Sequence, residues 1–273
     1  MNKLVQKYVA DRKEELKKKL KDKDVRLCVV QVGDNPASNS YIKGKMKDCE
    51  EVGIRVEHIH YLDSYEVTTD ILLRKIKELN NYIEISGIIV QLPLPPHIDV
   101  KKVQLAIDPK KDVDGFHPMS YFKPCTPMGV INFLKHLEYD FEGKDVLVIG
   151  RSDIVGKPLA QMLTDLDCTI TLAHSKTVGI YKHMRDSDII FTAIDKIEKY
   201  EAYDGLHMKY ADIVIDIGLG LSKRDNKLHG NLSEVCIEYL KDNRVKVLSG
   251  KGGVGLLTRL QLLENTLQAS ELL

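Results

Sequence analysis

Apolar runs of strand length alternate along this chain with stretches whose apolar residues recur at helical spacing. The first half predicts strands at VRLCVVQV, IRVEHIHYL and GIIVQL, with helices up to about Lys21, from about Pro36 to Val52 and from about Val67 to Asn80. Strands that alternate with helices in this way are typical of a parallel sheet covered by helices. The sequence therefore predicts an α/β fold.

A stretch rich in Pro, Gly and Asp, from Pro93 to Pro127, interrupts this alternation and marks a domain junction or a functional loop. The pattern then restarts, with strands predicted at DVLVIG, CTITLAH, SDIIFTA, ADIVIDIG and RVKVL and a hairpin at LSKRDNKLHG. The last predicted helix has an apolar face that can pack against a domain; it carries Leu256, Leu260, Leu263 and Leu267. A chain of 273 residues with this pattern is expected to form two domains.

The charge balance narrows the possible partners. Lys plus Arg and Asp plus Glu both number 40, so the formal net charge is zero. A non-specific nucleic-acid binder needs a basic surface to displace counterions, so nucleic acid is not an expected partner. No apolar run approaches the roughly 20 residues that cross a bilayer, and the charged N-terminal segment does not resemble a secretory signal. A cytoplasmic protein without membrane contact is expected.

Cysteine and histidine positions give no sign of a disulfide framework or a metal site. The five cysteines are an odd number without a C-x-x-C pair, which indicates reduced thiols. His58 and His60 would point to one face of a strand, as ligands in some metal sites do. No cysteine or acidic ligand cluster accompanies them, so no metal is expected.

The string VLVIGRSDIVGKPLA predicts a strand, a tight turn at Gly150 and a helix that begins near Gly156. A close backbone approach followed by the positive end of a helix suits a pyrophosphate. The usual fingerprint has three glycines, and Ser152 replaces the middle one here. Because any strand-to-helix turn favours glycine, this motif alone is weak evidence for a dinucleotide.

The end of the following strand favours NADP over NAD. An NAD site places an Asp or Glu about 20 residues after the turn, where it accepts a hydrogen bond from the ribose. This chain has AHSKT at that place, with hydroxyl groups and a cation but no acid. Together with Arg151, these groups suit a 2′-phosphate. A solvated polar turn is the alternative interpretation.

Candidate chemistry in the first half lies on one predicted helix and one strand end. Ser38, Tyr41 and Lys45 are three and four residues apart, so they share a helix face. A tyrosine beside a lysine can stack a flat ligand, although an isolated pair is more often a surface tyrosine over a lysine stem. Gln91 ends the buried strand GIIVQ, where ligands of open α/β sheets collect. The Asp-Gly of KDVDGFHP is consistent with a simple turn as well as with a site.

The strings SNSYIKGK, IIVQLPLP, KDVDGFHP, CTPMGV, VIGRSDIVGKP and GGVG occur in this order. With them the sequence closely resembles the FolD family, bifunctional methylenetetrahydrofolate dehydrogenases and methenyltetrahydrofolate cyclohydrolases, over nearly its whole length. The resemblance implies two α/β domains with a cleft between them. Residues 1–119 would form a folate-binding catalytic domain, 120–255 a Rossmann-like NAD(P)-binding domain, and the C-terminal helix 256–273 would pack on the first. It also implies a cytoplasmic homodimer acting on tetrahydrofolate one-carbon derivatives, in metabolism that serves purine biosynthesis.

The resemblance also implies residue roles. Lys45 matches the catalytic lysine, Gln91 the glutamine that sets the hydrogen bonding of that lysine, and Asp114 the carboxylate that holds the pterin. These three are the expected catalytic residues. The expected substrate-binding residues are Ser38, Tyr41, Gln91, Asp114 and Gly253. The expected NADP-binding residues are Gly150, Arg151, Ser152, Gly156, Ser175 and Gly218, with Arg151 and Ser175 at the 2′-phosphate.

The cofactor half departs from the family pattern more than the folate half. Asp195 and Ile197 replace a glycine and a proline, Gly220 replaces an asparagine and Asn231 an aspartate, and SGKGGVGLLT lacks three prolines. The leading hypothesis is an NADP-dependent dehydrogenase and cyclohydrolase. The alternative is a cyclohydrolase with weak or lost dehydrogenase activity. A non-catalytic folate- or nucleotide-binding protein is a remote third hypothesis.

Overall fold

The computed structural model of the chain describes residues 1–63, 65–194, 205–218, 220–221 and 228–273. Its α-helices are α1 (Asn2–Leu20), α2 (Pro36–Val52), α3 (Thr69–Asn81), α4 (Val100–Ala106), α5 (Cys125–His136), α6 (Gly156–Thr164), α7 (Ile180–Arg185), α8 (Glu234–Asp242) and α9 (Gly255–Ser270). Its strands are β1 (Arg26–Val32), β2 (Arg55–Tyr61), β3 (Gly87–Val90), β4 (Asp145–Ile149), β5 (Thr169–Ala173), β6 (Ile189–Thr192), β7 (Ile213–Asp216), β8 (Gly220–Leu221), β9 (Leu228–His229) and β10 (Lys246–Leu248). None of the described helices has the length and apolarity that crossing a membrane requires.

The chain folds into two compact units, each with its own parallel sheet. The lysine unit, named for Lys45, comprises residues 9–125 and 259–273, and the turn unit, named for the turn at Gly150, comprises residues 1–8 and 126–258. The division falls between Cys125 and Thr126, whereas the sequence places it between residues 119 and 120. The first eight residues belong to the turn unit, and α9 belongs to the lysine unit from Arg259 onward.

The sheet of the lysine unit has the strand order β2-β1-β3, with all pairs parallel. In β1, every residue after Arg26 is buried, as expected for a central strand covered on both faces. Cys28, Val30 and Ile88 from this sheet pack with Leu72 and Ile76 of α3 in one apolar core. The neighbours of β1 lie on opposite sides of it, so the carboxyl end of β1 is a topological switch point, where open α/β sheets bind ligands.

The chain leaves this switch point directly into α2, whose ends are fixed by local sequence. The Asn35 side chain accepts hydrogen bonds from the backbone N–H groups of Ala37 and Ser38, and Pro36 occupies the first helical position. Gly53 ends the helix in the left-handed conformation, with φ of 93°. The string NPAS…VG therefore determines both bounds of the helix that carries Tyr41 and Lys45.

The sheet of the turn unit has the order β10-β7-β6-β4-β5, again with all pairs parallel. Strand β4 lies between β5 and β6, so the turn after β4 is also at a switch point. The predicted hairpin is present as an antiparallel pair, Gly220 with His229 and Leu221 with Leu228. Residues 222–227 between these strands lie outside the described residues.

Two segments that look like loops in the sequence are helical. Helix α5 begins at Cys125, inside the stretch rich in Pro, Gly and Asp, because Pro127 is tolerated in the first turn of a helix, where its missing N–H has no partner to lose. The glycine-rich segment Gly250–Val254 forms a wide π-helical turn that continues into α9. Glycine and proline in these strings therefore mark helix starts, not extended loops.

Candidate functional site

The lysine unit brings Lys45 together with Gln91, Asp114 and Tyr41. The Lys45 Nζ atom lies 3.4 Å from Gln91 Oε1 and 3.5 Å from Asp114 Oδ2, and 5.1 Å from the centre of the Tyr41 ring. Lys45 is only 3% exposed and Asp114 9% exposed, so this ammonium–carboxylate pair is largely withdrawn from water. A buried charge persists only when it is paired, and here an amide, a carboxylate and an aromatic face surround one amine.

Gln91 presents its oxygen, and not its nitrogen, to the lysine. Its Nε2 group donates a 2.7 Å hydrogen bond to the Leu92 carbonyl oxygen, which leaves Oε1 to accept from Lys45. Gln91 follows β3, and its backbone N–H donates to the Val30 carbonyl oxygen of β1. The amide is thus fixed at the carboxyl end of the sheet, next to the switch point.

The loop that carries Asp114 is held in place by close backbone packing at Gly115 and by a hydrogen bond at Asp112. Gly115 has φ of 75°, and a Cβ atom there would lie 2.6 Å from the backbone of Lys123 and Pro124. Asp112 is buried and accepts a 2.7 Å hydrogen bond from the His117 backbone N–H, and its burial raises its pKa. The string KDVDG is therefore a packed loop with a specific backbone path, not a free surface turn.

Lys111 anchors the start of the same loop. Its buried Nζ group donates to the carbonyl oxygens at the end of α3, those of Leu79, Asn80 and Tyr82, at 3.4, 2.9 and 2.6 Å. Burial lowers the pKa of Lys111. The last carbonyls of a helix lack partners within it, so the lysine satisfies them and ties the loop to α3.

The sequence predicts no role for two residues that lie at this site, Cys125 and Asn265. Cys125 is buried, and its thiol lies 3.2 Å from the Val113 carbonyl oxygen; burial and the negative charge of Asp114 raise its pKa well above the usual value. Asn265 of α9 donates to the carbonyl oxygens of Val113 and Lys123, at 2.9 and 3.5 Å. Cys125 is visible in the string CTPMGV, but Asn265 is separated from Asp114 by about 150 residues, and no local pattern marks it.

Ser38 and Gly253 are the other two residues expected to bind the substrate. Ser38 is buried in the first turn of α2, about 10 Å along the helix axis from Lys45 at 1.5 Å per residue. Gly253 lies in the turn unit, where a Cβ atom would meet Leu248 and Asn2 at 2.8 and 2.9 Å. The side chain of Asn2 also donates to Ser249, so Asn2 fixes this glycine turn.

In the turn unit, two glycines allow backbone segments to approach each other closely around the turn after β4. Gly150 has φ of 126°, and a Cβ atom there would lie 2.0 Å from the Ala193 carbonyl oxygen. At Gly156, a Cβ atom would lie 2.1 Å from the Gly150 carbonyl oxygen. Both positions require glycine because of backbone packing within the fold, whether or not a ligand is bound.

Ser152 stands where the fingerprint has its middle glycine, and its hydroxyl engages backbone N–H groups at the start of α6. Its Oγ atom lies 3.2 and 3.3 Å from the backbone nitrogens of Val155 and Gly156 and accepts from both. The first N–H groups of a helix are usually free to bind an anion, but these two are already engaged. The first turn of α6 therefore offers fewer backbone donors to a phosphate than the three-glycine fingerprint implies.

Arg151 and Ser175 lie at corresponding places just after the neighbouring strands β4 and β5. The register pairs Ile149 of β4 with Ala173 of β5, and each expected phosphate-binding residue follows two positions later. Both side chains are exposed. His174 accepts a hydrogen bond from the Lys176 N–H, which orders the turn between them. A guanidinium and a hydroxyl without an acid in residues 173–177 are the donor set that suits a 2′-phosphate.

Gly218 lies just after the carboxyl end of β7, in close contact with Asn231. A Cβ atom at Gly218 would lie 2.0 Å from Asn231 Oδ1. The Asn231 amide accepts from the Ile194 N–H at 3.0 Å and donates to the Ile194 carbonyl oxygen at 2.7 Å. An aspartate could only accept, so asparagine suits this position better in this chain. Asp195 and Ile197, which follow Ile194, lie outside the described residues.

His58 and His60 stack on each other, with ring centres 5.3 Å apart and planes 17° apart. Each ring contacts an acceptor within its own sheet: His58 Nε2 lies 3.0 Å from Gln31 Oε1, and His60 Nε2 lies 2.9 Å from the Gly33 carbonyl oxygen. Among the described residues, no three His, Cys, Asp or Glu side chains form a group suited to a metal ion. The pair belongs to a hydrogen-bond network of β1 and β2.

The structure thus defines a two-unit α/β protein with a buried lysine–carboxylate site in one unit and a Rossmann-type turn in the other. Family models agree with this class: the catalytic-domain model of tetrahydrofolate dehydrogenase/cyclohydrolase matches residues 1–114, and its NAD(P)-binding-domain model matches residues 124–272. The chain belongs to the tetrahydrofolate dehydrogenase/cyclohydrolase family. The resemblance stated from the sequence is confirmed, as is the two-domain α/β fold class.

Named relatives cover nearly the whole chain. The bifunctional protein FolD of Bacillus cytotoxicus is 40% identical, over 99% of this chain and 95% of its own length. The crystal structure of the bifunctional enzyme FolD from Campylobacter jejuni has a TM-score of 0.89 and 37% identity, with 98% of each chain covered. The Trypanosoma brucei methylenetetrahydrofolate dehydrogenase-cyclohydrolase, solved with NADP cofactor and an inhibitor, has a TM-score of 0.86 and 28% identity, over 98% of this chain and 96% of that one.

Proposed function

We propose that this protein oxidises 5,10-methylenetetrahydrofolate to 5,10-methenyltetrahydrofolate with NADP and hydrolyses the product to 10-formyltetrahydrofolate. The observation that carries the proposal is the buried Lys45 amine, held between Gln91 and Asp114 beside the Tyr41 ring. A binding module has no need of such an amine. The Campylobacter jejuni and Trypanosoma brucei enzymes are named for both activities, and their likeness extends over both units.

Hydrolysis of the methenyl group needs one proton carrier. Water adds to the cationic methenyl carbon and loses one proton. The carbon–nitrogen bond to the pterin then breaks as that nitrogen gains a proton and the new hydroxyl releases a second proton to solvent to become the formyl carbonyl. Lys45 takes the first proton in its neutral amine form and, as the ammonium, returns it to the pterin nitrogen. A positioned acid–base group of this kind typically contributes about a hundredfold or more to the rate. Gln91 accepts from the amine and so fixes the direction of its remaining hydrogens and lone pair.

Asp114 and Tyr41 bind and orient the folate. The Asp114 carboxylate accepts a pair of hydrogen bonds from the aminopyrimidine edge of the pterin, with one oxygen also facing Lys45. The Tyr41 ring provides a flat surface for the aromatic part of the substrate. Because Asp114 lies on a loop held by Lys111, Gly115 and Asn265, its position is set before the substrate binds. Such preorganisation reduces the ordering cost of binding.

Bound NADP supplies the acceptor for the hydride of the methylene group. In this chain, Arg151 and Ser175 bind the 2′-phosphate, and the glycine-lined edge at Gly150 and Gly156 admits the pyrophosphate. Gly218 borders the cofactor on the far side of the switch point. Two observations support this. Arg151 and Ser175 each follow two residues after the paired residues Ile149 and Ala173, and residues 173–177 contain no acid. Ser152 contributes by holding the turn through its contacts with Val155 and Gly156.

One assay of the purified protein tests the proposed function. With methylenetetrahydrofolate and NADP, absorbance reports NADPH and methenyl-folate separately. We expect NADPH to form and methenyl-folate to be consumed, and we expect NAD to support a lower rate. Hydrolysis of methenyl-folate without oxidation of methylene-folate would favour the alternative, a cyclohydrolase with weak or lost dehydrogenase activity. Absence of both activities would overturn the proposal.

We also propose that the protein acts as a homodimer in the cytoplasm. The support is its similarity to FolD enzymes and the state of its five cysteines, which are all buried free thiols. Sedimentation velocity at micromolar concentration tests the dimer; a single species at the mass of one 31.0 kDa chain would contradict it.

A further inference from the structure

One buried carboxylate joins the carboxyl ends of β6 and β7. Asp216, the last residue of β7, is 1% exposed. Its Oδ1 atom accepts hydrogen bonds from Thr192 Oγ1 at 2.8 Å and from the Asn231 backbone N–H at 3.0 Å, and its Oδ2 atom accepts from the Leu232 N–H at 3.1 Å. Burial of a carboxylate is costly unless donors surround it, and here they do. The backbone at Asn231 is therefore fixed against the ends of both strands.

The side chain of Asn231 makes a two-point contact with the backbone of Ile194, two residues after β6. Asn231 is 6% exposed, and its amide accepts from the Ile194 N–H at 3.0 Å and donates to the Ile194 carbonyl oxygen at 2.7 Å. A neighbouring strand would offer the same donor and acceptor. An aspartate, which stands here in the family pattern, would accept from the N–H group and leave the carbonyl oxygen facing a negative charge.

This contact lies between two residues of the proposed NADP site. On one side, a Cβ atom at Gly218 would overlap Asn231 Oδ1, so the amide packs directly on Gly218. On the other side, Ile194 follows Ala193, whose carbonyl oxygen packs on Gly150 in the same close way. All five residues belong to the turn unit. A shift of the Ile194 backbone would therefore disturb the packing at both glycines.

We propose that Asn231 is a positioning residue for NADP, whose amide holds the Ile194 backbone and Gly218 in the arrangement that admits the dinucleotide. The inference rests on the proposed function, in which Gly150 and Gly218 border the cofactor. It gives a purpose to one departure from the family pattern, because asparagine satisfies both backbone groups of Ile194 where aspartate would satisfy one. Asn231 acts through the backbone that it holds, and contact with NADP is not required.

Asn231→Asp tests the inference, because it keeps the size of the side chain and replaces the donor to Ile194 with an acceptor. At pH 8, with the new carboxyl group ionised, NADP should bind about tenfold more weakly than to the wild type, as expected when a buried carbonyl oxygen loses its donor. Titration with NADP measures this without turnover. Hydrolysis of methenyltetrahydrofolate consumes no dinucleotide, so its kcat and KM at pH 7 should stay within about twofold and report an intact fold.

A pH series separates the lost hydrogen bond from a general structural effect. A protonated carboxyl group can donate, so it can restore the bond to the Ile194 carbonyl oxygen. Burial near the Asp216 carboxylate favours the protonated form of the new group. We expect the ratio of variant to wild-type affinity for NADP to recover at least threefold from pH 8 to pH 5.5. Using the ratio removes the titration of groups that both proteins share, such as His229 and the 2′-phosphate.

Asn243→Asp is the matched control. Asn243 is an exposed residue of the same unit whose amide donates to the Tyr239 carbonyl oxygen at 2.8 Å. The control variant therefore makes the same chemical change at a hydrogen bond away from the proposed cofactor residues. It should leave the affinity for NADP within twofold of wild type at both pH values.

The outcomes distinguish this inference from the proposed function. Unchanged NADP affinity in Asn231→Asp, an equal loss in Asn243→Asp, or a loss that does not recover at pH 5.5 would overturn the inference and leave the proposed function intact. A parallel loss of methenyltetrahydrofolate hydrolysis would show a structural role and overturn it as well. If the wild-type protein binds no NADP and forms no NADPH, the inference and the dehydrogenase part of the proposed function fail together.

Discussion

Asn265 on α9 donates a 2.9 Å hydrogen bond to the carbonyl oxygen of Val113, the residue immediately before Asp114. The same amide nitrogen lies 3.5 Å from the carbonyl oxygen of Lys123, on the returning side of the loop. Gln261 donates to Asn265 Oδ1 at 2.9 Å, which determines the orientation of the amide. The end of the chain thus fixes the loop that carries the carboxylate of the site.

Removing this amide should loosen the Asp114 loop. Asn265→Ala leaves the Val113 carbonyl without the asparagine donor, at a cost of about 1–3 kcal/mol in the free energy of unfolding. We also expect a higher KM for methenyltetrahydrofolate, because Asp114 loses its fixed position. Chemical denaturation and steady-state kinetics measure the two effects. Gln268→Ala, on the exposed face of α9, is the control; equal effects of both variants would argue against a specific role of Asn265.

Replacing Lys45 should abolish cyclohydrolase activity without unfolding the protein. Lys45→Met keeps most of the unbranched side chain but removes the proton carrier, so the rate of methenyl-folate hydrolysis should fall at least about a hundredfold. Loss of absorbance of methenyltetrahydrofolate measures the rate, and circular dichroism checks the fold. Lys47→Met on the same helix should retain full activity. Hydrolysis within about twofold of wild type in Lys45→Met would remove Lys45 from the mechanism.

Replacing Asp114 should affect the folate and not the dinucleotide. Asp114→Ala removes the acceptor for the pterin edge in the lysine unit, whereas the proposed NADP residues all belong to the turn unit. Titrations should show a loss of at least tenfold for tetrahydrofolate, the value for one charge-assisted contact, and little change for NADP. Asp22→Ala removes an exposed charge from the same unit as a control. Equal losses for both ligands would contradict the assignment.

The NADP preference should depend on Arg151 and Ser175. A charge-assisted hydrogen bond contributes about 1.5–3 kcal/mol, and about 1.4 kcal/mol is tenfold in affinity. Arg151→Ala should therefore weaken NADP binding by one to two orders of magnitude and leave NAD nearly unchanged. Because Lys176 is close enough in sequence to compensate, the double variant with Ser175→Ala is the sharper test.

The control for this pair is Lys157→Ala, since Lys157 already pairs with Asp153 near the same turn. Dehydrogenase kinetics with both dinucleotides measure the preference. A wild-type enzyme that uses NAD better than NADP would show that the 2′-phosphate interpretation is wrong.

Because of His58, the free energy of unfolding should fall as the pH drops below about 6.5. Burial, and then the neighbouring His60, lower the pKa of His58 from its ordinary value of 6.5. Above pH 6.5 the ring is neutral in both the folded and unfolded states, so it imposes no penalty. Between 6.5 and the lower folded pKa, the unfolded state binds the proton first and stability is lost. Urea unfolding at pH 7.5 and 5.5 should show a smaller loss for His58→Gln, which retains a partner for Gln31; an equal loss would exclude His58 as a source.

The sequence by itself determined the strands, the helices with clear caps, the fold class and the family. Asn35, Pro36 and Gly53 fix the bounds of α2 through contacts within a few residues, so its start and end can be predicted from local sequence. The order of the family strings along the chain predicts that Lys45, Gln91 and Asp114 form one site. In the structure the Lys45 amine lies 3.4 Å from Gln91 Oε1 and 3.5 Å from Asp114 Oδ2.

Only the tertiary structure decided how that site is supported. Asn265 and Lys111 act through contacts with residues far away in sequence or on another element, and a polar residue inside an apolar helix gives no sign of its partner. Gly44 looks like a weak point in a helix until Arg259 is seen to lie over it. Ser152 looks like a lost glycine until its hydroxyl is found at the N–H groups of Val155 and Gly156. Local patterns report backbone propensity and burial, whereas pairing across the fold depends on packing that brings distant residues within hydrogen-bonding distance.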